Sequence, residues 1–293
     1  MFAPPCEDLR VVRSAREFRF GRDAWARAFA SLDLARSTCL SDKPHGTVWK
    51  ADADLPSGRT TLILKVHSVR RPKDRFRSSL HLGRLRRQWR GAARLSRRGF
   101  RAAKCVALLH GVRDGEPLDV LVMEATAGRT LLDTLATSDL PLRDEHRLAE
   151  SAGRLASWLW NARLHSKDLK PSNLLVGPPD EEGAPTLTIL DTDAVGHLPD
   201  HPLLPLVLEP LGLGILPRRA VLWRAVRSWA WHAWLAGPDR FAPDPGERAD
   251  RPMETRIARR AWRELAELVR AHGDARPVHN PIRDPVAHPA PTG

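Results

Sequence analysis

The spacing of apolar positions changes several times along the chain. Residues 1–30 are mixed, with one strand and a short helix expected around "RDAWARAFASL". Between about 37 and 66 the pattern becomes strand-like. "GTVWKADA" and "TTLILKVH" flank the turn signal "LPSGR", which predicts a hairpin. From about Ser79 to Arg98 the period lengthens to that of a helix. Leu85, Gln88, Ala92 and Leu95 form its stripe with Trp89 beside them, while Arg84, Arg86, Arg87, Arg90 and Arg94 take much of the remaining surface. Gly99 suits the helix end. "CVALLHGV" and "LDVLVMEA" are two more strands around "RDGEP".

Beyond Leu142 helices dominate. One is predicted over 144–162 and two more over 218–236 and 254–272, with short strands "NLLVG" and "LTILD" around the polar loop "PPDEEGAP". The expected class is α+β: an N-terminal extension (1–36), a β-rich first lobe with one long helix (37–124) and a mostly helical second lobe (125–273). A proline-rich tail (274–293) is expected to be disordered. Trp223, Trp229, Trp231 and Trp234 crowd the helix over 218–236. That pattern reads first as a buried core helix, and second as a surface that stacks sugars or anchors at an interface.

Composition narrows the class. A chain of 293 residues with 42% hydrophobic and 28% charged residues reads as an ordinary globular protein with room for two lobes. Cys6, Cys39 and Cys105 are odd in number and match no metal-ligand spacing, so a reducing compartment is expected. The N-terminus lacks the apolar run of a signal peptide. The longest apolar stretch, 203–216, is broken by Glu209 and prolines and is too short to span a bilayer. The expected location is therefore cytoplasmic, with contact at the inner membrane face open.

Charge alters the picture more. Residues 65–104 hold fifteen Lys and Arg against one acidic residue, Asp74, so this segment exceeds the chain's net +12 and the rest is slightly acidic. Such a segment either attracts phosphate-bearing partners or forms a solvated helix face. No nucleic-acid-binding motif accompanies it, so no nucleic-acid partner is expected.

The chemistry-bearing residues begin at "LHSKDLKPSNLLV" (164–176). Phosphoryl transfer needs a carboxylate to orient the attacking hydroxyl and accept its proton, and an oxygen ligand for magnesium a few residues on. Asp168 and Asn173 stand at that D-x-x-x-x-N spacing, with Lys170 between them. Asp191 follows the hydrophobic run "LTIL", where a second magnesium ligand belongs, and Asp193 either joins it or caps the turn. Lys65 sits within the apolar strand "LILKVH", where an unpaired ammonium would be costly to bury. It is expected to reach phosphates, with a lysine snorkelling from a strand edge as the plain alternative. Upstream, "SDKPHGTVWKA" is a degenerate phosphate-covering loop, in which Gly46 admits the nucleotide backbone contact and Val48 covers the base. "LVMEA" would link the lobes, with Met123 behind the pocket and the backbone at Glu124 and Thr126 placed to hydrogen-bond adenine.

These motifs, in this order, resemble the protein-kinase-like fold. "GRLRRQWRGAARLSRRGF" (83–100) is similar to the Arg-x-Trp helix and Arg-Gly step of bacterial lipopolysaccharide kinases, the Kdo/WaaP (InaA-like) family. The resemblance covers about 40–195. It implies a bilobal fold and an enzyme that uses ATP and Mg2+ to phosphorylate a sugar hydroxyl of lipopolysaccharide core or a related anionic glycolipid, with the basic segment drawn to an anionic membrane surface. It makes Asp168 the catalytic base, Lys170 the residue steadying the γ-phosphate, and Asn173 and Asp191 the metal ligands. Lys65 becomes the phosphate-binding lysine, and Leu175 joins the cofactor-binding residues.

The chain departs from that pattern in three places. Ser166 and Lys167 precede Asp168, displacing His165 by one. No Glu occurs from 55 to 115 to pair with Lys65, so Gln88 is the expected stand-in. No Ala-Pro-Glu follows Asp191; the nearest match is Leu208-Glu209-Pro210. A pseudokinase scaffold and a divergent Ser/Thr protein kinase are the rival readings.

Overall fold

A computed structural model describes residues 7–32, 37–43, 46–69, 83–113, 115–136, 140–196, 201–213, 219–236 and 252–273. The tail 274–293 and the basic stretch 70–82, including the expected helix start at Ser79, lie outside the described residues. The chain divides into two compact units. One is Met1–Ala127 with Asp191–Asp193; the other is Gly128–Leu190 with Ala194–Gly293.

The first unit is built on a six-stranded antiparallel sheet. Its strands are β1 (Glu7–Ser14), β2 (Thr38–Lys43), β3 (Gly46–Leu55), β4 (Gly58–Ser68), β5 (Cys105–Arg113) and β6 (Glu116–Glu124), in the order β1-β5-β6-β4-β3-β2. The expected hairpin is β3–β4, paired without a register shift from Gly46↔His67 to Leu55↔Gly58. Alternation along β4 buries Leu62, Leu64 and Val66 in a core shared with Trp25 and Phe29 of α1 (Arg22–Ala30). Ile63, Lys65 and His67 turn to the other face. Residues 7–14, within the stretch set apart as an extension, form β1 and run antiparallel to β5 at the sheet edge.

The long helix is α2 (Arg84–Arg97). It buries Leu85, Gln88, Gly91, Ala92 and Leu95, the expected stripe with one glycine added. It ends as Gly99 suggested: Gly99 adopts φ +79°, its N–H donates to Ser96 O, and the Phe100 N–H reaches back to Leu95 O.

The second unit holds a small sheet, β7 (Arg129–Thr130), β8 (Leu174–Pro179) and β9 (Pro185–Ile189). Its helices are α3 (Leu131–Ala136), α4 (Leu142–Asn161), α5 (Leu204–Gly212), α6 (Arg219–Ala236) and α7 (Met253–Gly273). Helices α4 and α6 approach closely because Gly153 lacks a Cβ, which would fall 2.1 Å from Ala225 O. Trp229 of the Trp-rich α6 is buried, whereas Trp231 is 43% exposed, so that helix is only partly a core element. Among the described residues no helix is long and apolar enough to cross a membrane.

Candidate active site

In the first unit the site is assembled around Lys65. Midway along β4, Lys65 lies directly across from Val48 on β3 and Leu121 on β6, so the three side chains share one sheet face. Ile63 pairs with Met123, which brings Met123 to the same face. Gly46 opens β3, where a Cβ would stand 2.6 Å from Val66 O. Close approach of neighbouring strands therefore requires glycine there whatever else the loop does.

The Lys65 ammonium stands 3.5 Å from Asp191 Oδ1. Burial pushes the Lys65 pKa below its ordinary value. Asp191 and Asp193 pull it back up, and the nearby Arg84 adds to the downward push. Arg84, the first residue of α2, donates from Nε to Asp193 Oδ2 at 2.8 Å and approaches Asp191 Oδ2 at 3.5 Å. The hydroxyl of Thr192 donates to the backbone oxygen of Gln88 at 2.6 Å. Beside it, Gly91 lets residues 191–193 lie flush on the helix, since a Cβ there would fall 2.0 Å from Thr192 O. The Arg-Gly step of the sequence thus has a packing reason.

Gln88, the expected stand-in for a helix glutamate, is 1% exposed and directs its amide at Met123 Sδ, 3.8 Å away. The carboxylate that pairs with Lys65 comes from Asp191. Even so, Asp191 Oδ1 is buried without a hydrogen-bond partner, because 3.5 Å is an ion-pair distance rather than a hydrogen bond. A buried carboxylate oxygen left in this state suits a divalent cation. At the expected linker, the Glu124 N–H donates to Lys104 O and the Ala125 N–H to Thr61 O, both at 3.0 Å. An adenine contact at Glu124 would accordingly use its carbonyl. Thr126 is exposed.

In the second unit the loop 164–173 is held at nearly every backbone position. His165 O accepts from the Gly196 N–H at 2.7 Å, and Ser166 bridges to Val195. The His165 ring packs edge-on against Trp160, with centroids 4.7 Å apart. The altered lead-in before Asp168 is thus anchored by backbone pairing. The Asp168 carbonyl accepts from both the Lys170 N–H (2.8 Å) and Asn173 Nδ2 (3.0 Å). The amide nitrogen of Asn173 is thereby spent on the loop, so only its Oδ1 could serve a ligand. Leu175 is buried on β8 opposite Thr130 and Thr188.

Glu209 of α5 was not singled out for this loop by the sequence. It accepts from the Ser172 N–H at 2.8 Å and the Ser172 hydroxyl at 2.5 Å, and lies 3.6 Å from Lys170 Nζ. It belongs to the "LEP" segment noted as the nearest match to Ala-Pro-Glu, but only folding reveals its partners. The Asp168 carboxylate, by contrast, is half-buried and has no hydrogen bond or ion pair among the described residues. No group of three His, Cys, Asp or Glu that could hold a metal occurs among the described residues. A magnesium ion needs fewer, since it takes one or two carboxylates and completes its shell with phosphate oxygens and water.

The chain has an α+β fold, with a six-stranded antiparallel sheet in one unit and mostly helices in the other. Among solved structures it is similar to a crystal structure of Rad53 1–466 in complex with AMP-PNP, at 15% identity and a TM-score of 0.40, over 79% of this chain and 53% of that one. The chain thus spans about half the length of the solved structure it matches. No protein-family model matches the chain, and no curated protein matches it.

Proposed function

We propose that the chain is an ATP- and magnesium-dependent phosphotransferase whose acceptor is a sugar hydroxyl of lipopolysaccharide core or a related glycolipid. The observation that carries this reading is the Asp168 carboxylate: half-buried, without a hydrogen bond or ion pair among the described residues, and mounted on a loop fixed by backbone hydrogen bonds and by Glu209. A carboxylate held in that way is available to orient a hydroxyl and take its proton as the oxygen attacks the γ-phosphorus of ATP and ADP leaves. Asn173 Oδ1 and Asp191 Oδ1 would hold magnesium, which supplies charge neutralisation along the phosphates. Lys65 would bind phosphate, with Gly46, Val48, Met123, Glu124, Thr126 and Leu175 around the nucleotide. Lys170 would steady the transferring group.

Two features support a non-protein acceptor. Glu209 of the "LEP" segment is engaged in holding Ser172 and Lys170. The exposed arginines of α2, among them Arg90, Arg94 and Arg97, would attract an anionic glycolipid or membrane surface. A second reading, an ATP-binding scaffold without transfer, draws on the direct pairing of Lys65 with Asp191, which occupies two groups that transfer would require.

Magnesium-dependent labelling of a membrane glycolipid extract from labelled ATP separates these readings. The wild type is expected to label glycolipid, and Asp168→Ala to lose about a thousandfold in rate while retaining ATP binding. Labelling of a peptide mix in preference to glycolipid would favour a protein kinase. ATP binding without transfer to any acceptor would favour the scaffold.

A further inference from the structure

A second polar site lies wholly within the second unit and shares no residue with the loop 164–173. Helix α4 presents Arg147, Glu150, Ser151 and Arg154, and α6 presents Arg224, Arg227, Ser228 and Trp231. The two sets have the same spacing, so each is one helix face. On helices this closely packed, such facing stripes are ordinarily apolar. Here they line a cavity of about 490 Å³, together with Gly183 and Ala184 of the β8–β9 loop and Glu254 and Thr255 of α7.

Its charges are unevenly matched. Arg154 is bound to Asp180 and Glu182 and stacks on Trp158, and Arg224 is paired with Glu150. Arg147 and Arg227 have no partner among the described residues, and Glu254 is the one lining carboxylate left to set against them. Ser151 adds an independent sign. It is 5% exposed, lines the cavity, and its hydroxyl has no hydrogen-bond partner. A buried hydroxyl in that state loses free energy unless a ligand or water satisfies it.

We propose that this cavity binds a small sugar phosphate. The guanidinium forks of Arg147 and Arg227 match phosphate oxygens, and the Ser151 hydroxyl donates to the same group. The exposed face of Trp231 offers an apolar platform for the C–H face of a sugar ring. The Glu254 carboxylate, which would repel an anion presented alone, accepts hydrogen bonds from ring hydroxyls. The assignment stands apart from the phosphotransferase reading, because it concerns binding in the absence of ATP.

Isothermal titration of the full chain with glucose 6-phosphate, inorganic phosphate and glucose tests it. Glucose 6-phosphate is expected to bind best, and Arg147→Ala and Arg227→Ala each to weaken it about tenfold. Trp231→Ala should weaken glucose 6-phosphate and leave inorganic phosphate unchanged, while Glu254→Gln should strengthen inorganic phosphate alone. Because Arg147 and Arg227 have no partner among the described residues, their variants should keep the wild-type unfolding temperature. Absence of binding to the wild type would overturn the proposal. So would loss of binding in Lys65→Ala or Arg90→Ala while the cavity variants bind normally, or equal affinity for phosphate and glucose 6-phosphate with Trp231→Ala neutral.

Discussion

Asp168 and Glu209 are two carboxylates of one unit put to opposite uses. Glu209 is saturated by the Ser172 N–H, the Ser172 hydroxyl and the Lys170 ammonium, whereas Asp168 is left open. Glu209 is accordingly a positioning residue under the phosphotransferase reading. Glu209→Gln keeps the shape but removes the charge-assisted bonds, and is expected to lower kcat about tenfold with little change in KM for ATP. Steady-state kinetics checks this. His201 offers a prediction independent of catalysis. Its Nδ1 accepts from the Leu203 N–H, its ring packs on Trp229, and burial pushes its pKa from the ordinary 6.5 down to about 4. The folded state therefore binds fewer protons at this site than the unfolded chain between those two values. Stability is fully present above pH 6.5 and falls as pH drops towards 4, by about 3 kcal/mol from this group. Denaturant unfolding from pH 7 to pH 4 should show that loss, and His201→Phe should remove its share of the slope.

At the scale of elements, two helix features set the working segments in place. Gly91 lets residues 191–193 lie against α2, where a methyl group would meet the Thr192 carbonyl. Gly91→Ala is expected to destabilise the first unit by about 1–3 kcal/mol, read as a lowered unfolding midpoint. It should also loosen the Arg84 contacts with Asp191 and Asp193. Helix α4 ends with Arg163 at φ +54°, its N–H on Trp160 O and the Leu164 N–H on Leu159 O. That is the left-handed position usually given to glycine. Arg163→Gly is expected to raise stability by about 1 kcal/mol without moving the loop that follows. Element periods were legible wherever one face is buried. β4 and α2 show them plainly, while β2 does not. Five of the six β2 residues are exposed and none is buried, so no alternation marked it as the partner of β3.

For the molecule as a whole, the N-terminal 36 residues matter more than their mixed composition suggests. They supply β1 along β5, and they supply Trp25, which is fully buried beneath the sheet among Phe20 and Phe29. A chain begun at residue 37 would expose the sheet face formed by Leu62, Leu64 and Val66. It is expected to aggregate or fail to unfold cooperatively, as circular dichroism and light scattering would show. The single change Trp25→Ala should cost about 3–5 kcal/mol. An amphipathic strand at a sheet edge and a short helix give weak local signals, which is why this contribution was hard to see before folding.

What the sequence by itself determined is local. The β3–β4 hairpin, the long basic helix, its end at Gly99, and the Asp168-to-Asn173 spacing all follow from residues a few positions apart, where backbone geometry dictates what is neighbour to what. Tertiary structure alone decided that Asp191 is the carboxylate facing Lys65, that Arg84 clasps Asp193 from 109 positions away, that Glu209 locks Ser172 from 37 positions away, and that α4 and α6 open a polar cavity. These pairings carry no periodicity. They arise when burial of separate apolar faces brings polar groups together and leaves each to find a partner or to stand open.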